Sequence, residues 1–172
     1  ASGLEISPDF IKYNVEIYKV VYRTAYQGTD IEASGLIVLP RTSDPVSMIS
    51  FHHGTIAADN DAPSRTVTGD PVIFLYAALG SSGFVTVIPD LIGFGSSAEI
   101  SHPYYVEDAT ASAIIDNLYA AREFGNKNGV TFSENLFLAG YSQGGYATMA
   151  SHKAIEAEPI DGFDLVASFP AA

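Results

Sequence analysis

The segment Gly140-Tyr141-Ser142-Gln143-Gly144 sets a serine between two glycines, directly after an apolar run at 135–140 and directly before a helical pattern at 143–157. A serine at such a strand-to-helix junction turns sharply, is held in a strained backbone conformation, and lifts its hydroxyl clear of the sheet. The residues two before and two after it approach each other in that turn, which accounts for glycine at both 140 and 144. A helix opening at Gln143 points its free amides and the positive end of its dipole at the serine oxygen. The chemistry this suits is nucleophilic acyl transfer, with Ser142 attacking and the Gln143 amide holding the oxyanion. The five-residue string recurs by chance in many sequences; its placement, and a further glycine at 145, give it weight.

The remaining candidates read as scaffolding. His52 and His53 are adjacent at a strand end, so their side chains leave on opposite faces and do not chelate one ion together. His53 shapes the loop that follows rather than acting as a base. His102, in Ser101-His102-Pro103-Tyr104-Tyr105, reads as a structural or pocket-rim residue, and His152 as a helix residue pointing away from the serine. Asp90 follows a buried strand and precedes Gly93 and Gly95, a position for a loop-ordering carboxylate. Asp161 and Asp164 flank a strand start at the far end and are expected to be solvated. Gly93-x-Gly95-x-x-Ala98 imitates a dinucleotide fingerprint, but Ser101-His102-Pro103 interrupts where its helix would begin.

The elements that position these residues follow from periodicity. Residues 15–23 and 33–39 read as strands joined around Gly28-Thr29-Asp30, and 47–53 as an apolar strand ending at Gly54. Asp70-Pro71 supplies an N-cap and first-turn proline for a helix over 71–80. Residues 84–89 form another buried strand before the glycine-rich loop 93–97. A three-and-four spacing through Ala111, Ile114, Ile115, Leu118 and Ala121 predicts a helix over 105–124, ended by Gly125 and Gly129. Strand 135–140, helix 143–157 and strand 163–169 complete the chain. Continuously apolar strands alternating with helices predict a mostly parallel sheet with helices on both faces, whose reactive groups gather at the strands' C-terminal ends.

Composition narrows the partners. Hydrophobic residues make up 47% and charged residues 16% of 172 residues, the profile of one folded domain. Twenty acidic against eight basic side chains give a net charge of −12, which disfavours nucleic acid and anionic lipid surfaces. With no cysteine there are no disulfides, thiolate metal sites or cysteine nucleophile. No apolar run approaches the roughly 18 residues of a transmembrane segment. The opening Ala1-Ser2-Gly3-Leu4-Glu5 is neither basic nor strongly apolar, so no signal peptide is expected within these residues.

Taken together, His52-His53-Gly54-Thr55, Asp90-Leu91-Ile92-Gly93-Phe94-Gly95-Ser96 and Gly140–Gly144 resemble an α/β-hydrolase, and within that fold the bacterial secreted esterases and lipases and the fungal secretory lipases. The likeness runs through nearly the whole chain; the Gly-Gly-Gly loop of hormone-sensitive-lipase relatives is absent. It implies a serine carboxylic-ester hydrolase that takes a small-molecule or lipid ester and needs no metal or organic cofactor. It also implies a secreted or periplasmic location. The His-Gly loop of these families gives the second oxyanion amide, here that of Thr55, or of Ile56 if the loop turns one residue later. Each such donor is worth about 3–4 kcal/mol in the transition state.

In this fold the triad runs serine, acid, histidine along the chain. The acid and histidine are therefore expected beyond Ser142, yet the sequence reaches Pro170-Ala171-Ala172 just after its sixth predicted strand of about eight. Residues 1–172 then read as the N-terminal part of a single domain. The cap, the last strands and the two triad partners would lie on a companion C-terminal segment, and the 172 residues alone are expected to be inactive and unstable. A peptidase or acyltransferase would share every residue named and differ in that segment. A non-catalytic binding module is disfavoured, because it would have no use for an intact serine turn and oxyanion loop.

Overall fold

In the computed structural model, residues 8–66 and 69–172 are described. Six strands form one sheet in the order β1-β2-β4-β3-β5-β6. β1 (Val15–Tyr26) and β2 (Thr29–Pro40) make a long antiparallel hairpin, in register from Val15↔Pro40 to Tyr26↔Thr29. β2 also runs antiparallel to β4 (Phe84–Pro89). From there the sheet is parallel: β4 with β3 (Val46–His52), β3 with β5 (Phe132–Tyr141), and β5 with β6 (Asp164–Ala171). The expected mostly parallel sheet is present; β1, β2 and β5 extend beyond the apolar runs that marked them, β4 coincides with its run, and β3 and β6 are offset by a residue or two.

Alternation along the strands divides the core. Ile37, Leu39, Met48, Val85, Val87, Leu136 and Leu138 turn to one face and pack with Leu118 and Ala121 of α2 (Glu107–Lys127) and Ile155 of α3 (Gln143–Ala157). Leu36, Val38 and Ile88 turn the other way, against Tyr76, Val72 and Ile73 of α1 (Pro71–Ser81). Side chains of period two in the strands thus serve helices on both sides. The α1 start is as expected, with the Asp70 carboxylate accepting from the Val72 amide at 3.0 Å.

Gly125 does not end the long helix. It lies within α2, where a Cβ would press into the Phe132 ring, so its glycine serves a close helix–strand approach. The helix stops two residues before Gly129, whose φ of 78° reverses the chain.

Candidate active site

β5 delivers Tyr141 to the sheet's C-terminal edge, and α3 begins at Gln143. Ser142 between them has φ 56° and ψ −117°, a conformation costly for any residue with a Cβ, and it is exposed. Its neighbours enforce the turn. The Ser142 amide donates to the Ala171 carbonyl of β6 at 2.9 Å, and the Gly145 amide donates to the Ser142 carbonyl at 2.9 Å. A Cβ on Gly140 would strike the Gly144 carbonyl, one on Gly144 the His52 carbonyl, and one on Gly145 the Ala171 carbonyl. The approach of residues 140 and 144 expected from their glycines is therefore seen directly. Gln143 opens the helix, so its amide has no helical carbonyl to bond.

The loop after β3 lies beside this turn. A Cβ on Gly54 would sit 3.5 Å from the Tyr141 carbonyl and 3.8 Å from Ser142 Cβ. Thr55 follows it, exposed, with its hydroxyl 3.0 Å from the Tyr104 hydroxyl. Gly54, and with it the loop that carries Thr55, is thus brought to Ser142 and Gln143 at one sheet edge.

All four histidines have each ring nitrogen beside a polar protein atom. His52, wholly buried, bonds to Ser50 Oγ at 3.0 Å and Thr148 Oγ1 at 2.8 Å. Burial, and after it the neighbouring His53, pushes its pKa down to about 3, so the ring is neutral. His53 faces the Gly54 and Asp90 carbonyls at 2.7 and 3.1 Å. His102 faces the Ile92 carbonyl and the Gln143 side-chain nitrogen, each at 2.6 Å. Burial, more than the opposing Ile92 bond, lowers its pKa below the usual imidazole value. His152 bonds Ser168 Oγ at 2.9 Å and lies 3.3 Å from the Glu156 carboxylate. None of these contacts is with Ser142.

Asp90 orders the loops, as its position implied. It is fully buried, accepting from Ser34 Oγ at 2.5 Å and from the Ser64 amide at 2.7 Å. Gly95 packs so closely on the Asp90 carboxylate that a Cβ there would overlap it. The glycines of this loop thus fit a carboxylate and a single 3-10 turn at Gly95–Ser97, not a dinucleotide. Phe94 is buried beside the His102 ring, the two centroids 4.8 Å apart, while Tyr104, Tyr105 and Tyr141 are exposed. The link from Gln143 to His102 had no sequence signal, since it joins residues 41 apart through side chains alone. Among the described residues no cluster of His, Cys, Asp or Glu is arranged to hold a metal, and no helix is long and apolar enough to cross a membrane.

A mostly parallel sheet with a serine on a strained strand-to-helix turn defines the α/β-hydrolase fold, and solved structures share it. The rice cell wall degrading esterase LipA of Xanthomonas oryzae, in a ligand-bound form, superposes with a TM-score of 0.86 at 33% identity over 93% of this chain and 42% of its own. A Legionella pneumophila protein solved as a candidate hydrolase gives 0.79 at 36% identity over 94% of this chain and 42% of its own. Esterase Est22, at 15% identity and a TM-score of 0.61 over 84% of this chain and 40% of its own, shares the fold. The sequence profile of the secretory lipase family matches residues 60–159, and the chain belongs to that family. No curated protein sequence gives a significant match. The chain spans about two-fifths of the length of the solved relatives.

Proposed function

We propose that the complete protein is a serine carboxylic-ester hydrolase acting through an acyl-enzyme on Ser142. Residues 1–172 would be the nucleophile-bearing N-terminal part of its single domain. The observation that carries this reading is the backbone of Ser142, held at φ 56° and ψ −117° by three glycines that admit no side chain. Strain of this kind persists only where surrounding packing over-determines it, and it presents the hydroxyl. Membership of the secretory lipase family supports ester substrates, small-molecule or lipid, and a secreted protein.

In the proposed reaction Ser142 Oγ attacks the ester carbonyl carbon and loses its proton to a general base. The carbonyl oxygen becomes an oxyanion between the amides of Thr55 and Gln143. Collapse expels the alcohol, which takes up a proton, and water then releases the acid by the same path in reverse. The base belongs outside these residues, because the contacts of every histidine here are with groups other than Ser142. Histidine and acid would come from the remainder of the domain, which the relatives' greater length accommodates.

Intact mass of the complete protein before and after a fluorophosphonate ester tests this. One adduct on the polypeptide carrying Ser142, lost in Ser142→Ala, is the expected result. An unlabelled wild-type protein that binds its ligand equally well with Ser142→Ala would replace the enzyme reading with that of a binding module.

A further inference from the structure

Two side chains of one short loop reach the two residues that would supply the oxyanion amides. His102 Nε2 lies 2.6 Å from Gln143 Nε2, and the Tyr104 hydroxyl lies 3.0 Å from Thr55 Oγ1. The direction of the first bond is fixed by chemistry. His102 Nδ1 faces the Ile92 carbonyl at 2.6 Å, and a carbonyl only accepts, so Nδ1 carries the proton. In the neutral ring Nε2 is then the acceptor and the Gln143 amide nitrogen the donor. Gln143 Oε1 is left buried without a partner, so that side chain is held by His102 rather than shared among several groups.

The loop is itself anchored. The Tyr104 amide donates to the His102 carbonyl at 2.9 Å, and Pro103 between them is buried. The Tyr104 ring stands edge-on to Tyr105 at 4.4 Å, and Tyr105 is edge-on to Tyr146 at 4.5 Å. The Tyr146 hydroxyl, on the first turns of α3, donates to the Tyr105 carbonyl at 2.9 Å. On the other side Gly93 lets the main chain of His102 come within 2.5 Å of where a Cβ would stand. The loop is thus tied to the helix bearing Gln143 and to the segment after β4.

We propose that His102 and Tyr104 are positioning residues for the oxyanion hole, His102 acting through Gln143 and Tyr104 through Thr55, so that one loop sets the separation of the two amides. The inference rests on the reading of Ser142, Thr55 and Gln143 given above. The Ser142–Gln143 peptide is held at its carbonyl by the Gly145 and Tyr146 amides, and His102 adds a second hold at the Gln143 side chain. Thr55 is exposed on a loop with no helix or strand to order it. An oxyanion hole works only when its donors are pre-placed at about 3 Å from the developing charge, and misplacement by about 1 Å costs up to about 10²-fold in rate.

The test is steady-state hydrolysis of p-nitrophenyl acetate by the complete protein, beside fluorophosphonate labelling. His102→Ala is expected to lower kcat about 10²-fold with KM within about threefold. His102→Gln, whose carbonyl oxygen replaces the Nε2 acceptor, is expected to recover most of that loss. Gln143→Leu keeps the main-chain amide but removes the tether, and its loss should not multiply with that of His102→Ala. Tyr104→Phe, at an exposed site where folding is little affected, is expected to lower kcat about fivefold, and not further in a Thr55→Val background. Variants that label at the wild-type rate with kcat within about twofold would overturn the positioning role while leaving the nucleophile reading intact, as would losses that multiply in the double variants. Failure of wild-type Ser142 to label would overturn both.

Discussion

The β1–β2 turn and the turn at Ser142 each hold a non-glycine residue at positive φ, Gln27 at 51° and Ser142 at 56°. At the hairpin, Gly28 follows at 76°, and positive φ at both central residues is what a two-residue link between twisted antiparallel strands requires. Nothing lies within 4 Å of where a Gly28 Cβ would stand. At Ser142 the ψ of −117° leaves the left-handed helical region, and the glycines on either side are hemmed in by carbonyl groups of β3, β6 and α3 itself. The hairpin's shape is chosen by its own residues and costs little. The serine's shape is imposed by three neighbouring elements, which is how a folded chain keeps a reactive group in a position it would not adopt alone.

The same substitution at the two turns should separate these causes most widely. Gly144→Ala forces a methyl into the His52 main chain and is expected to cost about 5 kcal/mol, enough to abolish cooperative melting of the protein. A smaller effect tests whether the elbow depends on a neutral His52. Its pKa is depressed to about 3 in the fold, so the unfolded chain binds the proton first as the solution is acidified. The stability is therefore complete above about pH 6.5 and is lost toward pH 3, with about 3 kcal/mol gone by pH 4. His52→Asn should be less stable at pH 7 and lack that part of the pH slope, as read from melting temperature against pH. An unchanged slope would mean that other groups dominate acid unfolding. Smallest is Gly28→Ala, expected to cost about 1 kcal/mol in denaturant midpoint through φ alone. If it matched Gly144→Ala, the distinction between local and imposed turns would collapse.

Much of this was legible in the sequence because it is written in short-range pattern. Helix 143–157 has the expected boundaries, since the serine turn fixes its start and Glu158-Pro159 its end. Asp70 and Asp90 each do what a carboxylate at a helix start and at a strand end would do. Gly125 was misread because a glycine that ends a helix and one that admits a neighbouring ring look alike in one dimension; only Phe132 in place tells them apart. The order of the sheet, with β3 between β4 and β5, and the bonds from His102 to Gln143 and from Thr148 to His52 depend on contacts between distant residues that no periodicity encodes.

The bond from the Ser142 amide to the Ala171 carbonyl has a consequence for how force travels through the molecule. β6 pairs with β5 along its length, and its Tyr141↔Ala171 rung is the last before the serine. A strand pulled or frayed at that corner would loosen the nucleophile before it loosened the core, because the peptide that aims the hydroxyl hangs from the last rung of the β5–β6 pair. The reactive turn is in this sense a gauge of its neighbours: its tension is shared among the ends of β3 and β6 and the first turn of α3.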